Sequence, residues 1–130
     1  MSFMRHSSLP KKTANFYVVG TGLIGSTLLR QIEAQQEALA LKYNLELRAV
    51  ALADLKHMVF NKNGIRLETW EQELDGSGSI MNLAEFVTLM KNPVALPNRI
   101  FVDCTASEEI ASYYTTILES GISIVTPSKK

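Results

Sequence analysis

Six residues constrain this chain more than any others: Gly20-Thr-Gly-Leu-Ile-Gly25. Glycine-rich turns are common, and the spacing G-x-G-x-x-G carries meaning only where a strand feeds it and a helix leaves it. Both conditions are met here. Asn15-Phe-Tyr-Val-Val19 is β-branched and aromatic, the make-up of a buried strand. From Leu23 to about Tyr43 run good helix formers, with Ile24, Leu28, Ile32 and Leu39 near one face. Asn44 tolerates the left-handed conformation that stops such a helix. In this context Gly20 permits a tight turn, Gly22 lets backbone approach a pyrophosphate, and Gly25 lets helix and strand pack closely. The helix N-terminus adds unpaired N–H groups and the positive end of a dipole. The pattern points to a dinucleotide site; the alternative is a strand-to-helix turn with no ligand.

The rest of the chain repeats the alternation. Leu45–Ala53 reads as a second strand, apolar throughout its C-terminal half and so suited to burial on both faces. Residues 56–80 are less regular, with a turn at Asn61-Lys-Asn-Gly64, a short helix over Glu68–Leu74 and a flexible loop over Asp75–Ser79. Asn82 and Glu85 have capping-box spacing and open a helix to Met90. Arg99–Asp103 is a third strong strand. Ser107 caps a further helix whose face carries Ile110, Tyr113, Tyr114, Ile117 and Leu118, ended by Gly121, and Ile122–Thr126 is the last strand. Strands alternating with helices imply parallel pairing through right-handed crossovers. The expected fold is α/β: a Rossmann-like, doubly wound, mainly parallel sheet over residues 14–130, behind an irregular, disordered leader over residues 1–13.

Composition agrees and excludes other classes. The 130 residues are 46% hydrophobic and 20% charged, enough for one domain with its own core. A single cysteine allows no internal disulfide and no cysteine-rich zinc site. Neither a membrane-length apolar run nor a signal-peptide stretch is present, so the default compartment is the cytoplasm. The net charge is zero, yet Arg5, Lys11, Lys12, Lys129 and Lys130 lie at the ends and leave an acidic body. That distribution does not suit nucleic acid.

Further candidates stand at strand ends. Asp54 follows the second strand, where an acid accepts hydrogen bonds from ribose hydroxyls. It lies 34 residues after Gly20, against the usual spacing of about 20; the long first helix accounts for the difference. Asp54 repels a 2′-phosphate and Lys56 offsets that, which leaves NAD or NADP open. Asp103-Cys-Thr-Ala-Ser107 ends the third strand at the ligand crevice. Thr105 and Ser107 are candidate contacts through hydroxyl or backbone, while Cys104 reads as a small buried residue. Lys129, in the closing Thr126-Pro-Ser-Lys-Lys130, is a candidate for an anionic substrate or a carbonyl, or else part of a solvated tail. The candidate cofactor contacts are thus Gly20, Thr21, Gly22, Leu23, Ile24, Gly25, Asp54, Lys56, Cys104, Thr105, Ala106, Ser107 and Lys129, with no metal ligands.

Taken together, four segments resemble homoserine dehydrogenase, especially the form fused behind aspartokinase. They are Gly20-Thr-Gly-Leu-Ile-Gly-Ser-Thr-Leu-Leu-Arg30, Gly64-Ile-Arg-Leu followed by Trp70, Phe101-Val-Asp-Cys-Thr-Ala-Ser107, and Gly121-Ile-Ser-Ile-Val-Thr-Pro-Ser-Lys-Lys130. The resemblance covers about Asn15 to Lys130. It implies reduction of L-aspartate 4-semialdehyde to L-homoserine by NADH or NADPH, in threonine and methionine biosynthesis. By it the glycine turn holds the pyrophosphate, Thr105 lies on the nicotinamide side, and Lys129 is catalytic near the reacting carbonyl. Two positions depart from the pattern: Ser128 stands for the usual asparagine, and Asp54 for the asparagine of the fused forms. The family's substrate and dimerisation domain is missing from the 130 residues, as are its substrate-binding acids and second catalytic lysine. The expectation is therefore a cofactor-binding fragment, inactive alone, of an enzyme that is a homo-oligomer at full length. The alternative from another class is a stand-alone nucleotide-sensing regulatory module.

Overall fold

Residues 11–92 and 96–127 are described by a computed structural model. Its centre is β1 (Lys12–Val19), which pairs in parallel with β2 (Leu45–Ala53) on one side and β5 (Arg99–Asp103) on the other. Beyond β5 lies β6 (Ser123–Val125), also parallel. Beyond β2 come two antiparallel strands, β3 (His57–Phe60) and β4 (Ser79–Ile80). The six-stranded order is β4-β3-β2-β1-β5-β6. The mainly parallel, doubly wound sheet expected from the alternation is present.

Two cores line its two faces, as strand alternation requires. On one, α1 (Leu23–Tyr43) and α2 (Trp70–Ser77) bury Leu29, Ile32 and Leu74 against Val18, Ala49, Leu52 and Val102. On the other, α3 (Leu83–Lys91), α4 (Glu108–Ala111) and α5 (Tyr114–Glu119) bury Phe86, Val87, Met90, Ile110 and Ile117 against Tyr17, Val19, Ala53 and Phe101. Phe86 is the hinge of an aromatic group there, its ring 5.1 Å from Phe60 and 6.4 Å from Phe101. Between Phe16 and Tyr17 the β1–β2 register skips Val50, a bulge that puts Val50 and Ala51 on the same face. The Val50 carbonyl accepts instead from Asn61 N–H at 2.8 Å.

Several boundaries differ from the expectation. β1 begins at Lys12, so the irregular leader does not extend through Thr13; Lys12 N–H bonds the Asn44 carbonyl at 3.0 Å and pairs Lys12 with Leu45. Met1–Pro10, the rest of that leader, lies outside the described residues. The segment read as irregular holds β3 and β4, both too short for a clear alternation. Asp75, Gly76 and Ser77, expected in a flexible loop, complete α2, because buried Leu74 anchors that turn to the sheet. The helix after Ser107 breaks at Ser112–Tyr113, where the Ser112 hydroxyl donates to the Glu109 carbonyl at 2.6 Å. Ile24, expected on the buried face of α1, is 45% exposed, and Leu29 takes that place.

Candidate functional site

The carboxyl ends of β1, β2 and β5 meet at one cavity of about 850 Å³. This is where strand order departs from β1 in opposite directions, the switch point at which open α/β sheets leave a crevice. Gly20, at φ +93°, carries the chain out of β1. Its N–H bonds the Ala53 carbonyl at 2.8 Å, and Cys104 N–H bonds the Val19 carbonyl at 2.9 Å, so the turn is tied to both neighbouring strands. A Cβ on Gly20 would stand 2.8 Å from Thr105 Cγ2 and 3.0 Å from Cys104 backbone; one on Gly25 would stand 1.9 Å from the Gly20 carbonyl oxygen. These two glycines are required by packing.

Gly22 is different. Nothing lies within 4 Å of where its Cβ would be. It is the N-cap of α1, makes no side-chain cap and is followed by no acid in the first turn. Gly22 lines the cavity and caps α1, so the unpaired N–H groups of that helix's first turn begin at the cavity wall, a donor set suited to phosphate.

Asp54 stands at the end of β2 and lines the same cavity. Its Oδ1 accepts from the N–H groups of Lys56 (2.8 Å) and His57 (2.7 Å), and its own N–H bonds the His57 carbonyl at 2.9 Å. This fixes the carboxylate at the β2–β3 turn. Lys56 also lines the cavity.

At the end of β5, Asp103 is wholly buried. Its Oδ1 accepts from Thr105 N–H (2.9 Å) and Thr105 Oγ1 (2.6 Å), and its Oδ2 accepts from the Tyr114 hydroxyl. The Thr105 oxygen in turn accepts from Ser107 N–H at 3.2 Å. The Thr105 hydroxyl thus bonds within its own loop, donating to Asp103 and accepting from Ser107 N–H, while its methyl stands against Gly20. Ser107 lines the cavity and also caps α4, accepting from Ile110 N–H at 3.2 Å. Burial, with the Asp103 charge beside it, pushes the Cys104 thiol up, which keeps it un-ionised. Burial and the bond to Asp103 push the Tyr114 phenol above its ordinary 10.0, against a smaller downward pull from the Thr126 hydroxyl.

Of the candidate contacts, Gly20, Thr21, Gly22, Asp54, Lys56, Thr105 and Ser107 share the cavity wall. Gly25 and Cys104 pack beneath it, Ala106 is exposed, and Leu23 and Ile24 are 84% and 45% exposed on α1. Lys129 lies outside the described residues. Sequence reasoning missed Val19, Leu55, Asp75, Met81, Leu83, Glu109 and Ile110 as site residues, and these complete the wall. Leu55, 98% exposed beside Asp54, had a usable signal: an apolar residue in a polar turn.

Comparison with known proteins adds an independent line. Residues 20–130 match the family model described as homoserine dehydrogenase, NAD binding domain. The chain is 37% identical over 122 residues to a bifunctional aspartokinase/homoserine dehydrogenase 1, chloroplastic, of Zea mays, covering 94% of this chain and 13% of that protein. It is 35% identical over 123 residues to the homoserine dehydrogenase of Saccharomyces cerevisiae, covering 92% and 32%. Among solved structures, a hyperthermophilic archaeal homoserine dehydrogenase mutant in complex with NADPH superposes with TM-score 0.66 at 22% identity, covering 88% of this chain and 35% of that one. The chain thus spans roughly an eighth of the fused relatives' length and a third of the yeast protein's.

Proposed function

The chain belongs to the homoserine dehydrogenase family, as its NAD-binding domain, and from that premise we propose that it binds NAD(P)H for the reduction of L-aspartate 4-semialdehyde to L-homoserine. The observation that carries this reading is Gly22, the N-cap of α1, which lines the 850 Å³ cavity with nothing within 4 Å of where its Cβ would stand. Gly20–Gly22 and the start of α1 hold the pyrophosphate. Asp54 takes ribose hydroxyls through the carboxylate edge turned from the Lys56 and His57 amides. Thr105, held by Asp103, flanks the nicotinamide through its methyl and backbone. When bound, reduced nicotinamide supplies the hydride. Lys129, which lies outside the described residues, is by resemblance to the family the cation that would stabilise charge developing on the carbonyl oxygen. The setting is cytoplasmic biosynthesis of threonine and methionine, and the full-length enzyme is a homo-oligomer.

Calorimetric titration of this chain with NADH and NADPH tests the reading. Gly22 has an ordinary φ of −71° and free space around it, so Gly22→Asp adds charge without strain. We expect binding by the wild type and at least a tenfold loss in Gly22→Asp, with an unchanged circular dichroism spectrum. Binding that survives the substitution refutes the phosphate assignment.

A further inference from the structure

We propose that Asp75 acts with Asp54 to select NAD(H) over NADP(H), a selectivity that rests on the dinucleotide reading above. Asp75 comes from α2 and lines the same cavity as the glycine turn. The carboxylate oxygens of Asp54 and Asp75 and a ring nitrogen of His57 all lie within 4.8 Å of one another. Two carboxylates therefore share the corner that receives the adenosine ribose. His57 Nδ1 lies 3.9 Å from Asp75 Oδ1.

The position of Asp75 has no explanation in helix stability. It stands in the last turn of α2, which holds no basic residue, and there the helix dipole disfavours a negative charge. It is also 73% exposed at its side chain, so packing does not require it. Its charge acts instead on the cavity. The charged residues lining that cavity are Asp54, Asp75, Glu109 and the single cation Lys56, and no arginine is among the described residues of the wall. A 2′-phosphate needs a cationic partner, usually arginine, and here it meets two carboxylates. At about 5 Å in water-like surroundings, one carboxylate against one phosphate charge changes affinity about fourfold, and two against a dianion, four such pairings, about two-hundredfold before salt screening reduces it.

The experiment is a titration of the full 130-residue chain with NADH and with NADPH, for the wild type, Asp75→Asn and Asp54→Asn, at low and high salt. Asparagine keeps the shape and removes the charge. We expect the wild type to favour NADH by more than about tenfold at low salt. Asp75→Asn should narrow that ratio by a few-fold through tighter NADPH binding, and salt should narrow it in the wild type more than in the variant. A wild type that binds NADPH as tightly as NADH, or an Asp75→Asn variant with the wild-type ratio, overturns the proposal. Failure of a folded chain to bind either dinucleotide overturns the dinucleotide reading and this proposal with it; a change confined to the ratio bears on this proposal alone.

Discussion

Gly22 and Gly25 stand three positions apart in one motif, yet their surroundings set opposite consequences for adding a methyl group. Gly25→Ala puts a carbon 1.9 Å from the Gly20 carbonyl oxygen, and relief requires α1 to lift from β1. We expect a loss of about 2–3 kcal/mol in urea denaturation. Gly22→Ala meets nothing, and its cost should stay within about 1 kcal/mol, that of alanine in place of glycine at an N-cap. The motif spacing announced both residues, but only three-dimensional contact separates the packing glycine from the one beside open space. Asp103 makes a similar point. It was legible as a strand end, but its partner Tyr114 lies eleven residues on, among side chains whose helical spacing marked them only as core. Tyr114→Phe removes a donor from a fully buried carboxylate and should cost about 1–3 kcal/mol. The alkaline limb carries the same information. Burial raises the phenols of Tyr17 and Tyr114 above 10.0 and, with the Asp103 charge, raises the Cys104 thiol above 9.0. Each favours its protonated form more in the folded state, so its contribution is complete below the ordinary value and is lost as pH rises through the raised one. Stability should therefore hold to about pH 9 and fall above it, with a shallower fall in Tyr114→Phe, as measured by denaturation across pH 7–11.

Elements with enough length to express a period were readable. α1 was bounded at both ends because a glycine opens it and Asn44, at φ +53°, closes it. That closure predicts a test: Asn44→Ala should cost about 1 kcal/mol or slightly more, since alanine resists the left-handed region, whereas Asn44→Gly should cost little. β2 and β5 were legible as well, β2 from the apolar run of its C-terminal half and β5 from Ile100-Phe-Val102. β3 and β4 were not, because four and two residues hold too few alternations. Their pairing depends on each other and on β2, information that no local window contains. The missed α2 boundary follows from this: Asp75-Gly-Ser looks like a loop until Leu74 is seen to be buried. With that boundary went the chance to notice Asp75 as part of the cavity.

At the scale of the molecule, the site joins the two halves of the sheet, since β1 and β2 supply Gly20 and Asp54 while β5 supplies Thr105. A ligand that spans this seam stabilises both halves at once. At a hundredfold excess over Kd, NADH should add about 2.7 kcal/mol, equivalent to a rise in Tm of roughly 10 °C for a domain of this size. Differential scanning calorimetry should show one shifted transition, and a shift of about half that or less in Gly22→Asp at the same ligand concentration. The bulge at Val50 bears on how such a chain varies over evolutionary time. All eight paired positions of β1 find partners in β2 without Val50. A chain lacking that one residue would lose a buried side chain and the acceptor for Asn61, yet it would keep every strand partner and leave Asp54 at the same place beside the glycine turn. The interval between the two is thus elastic by one residue, and a single-residue gap at Val50 in an alignment marks a length change that the site does not feel.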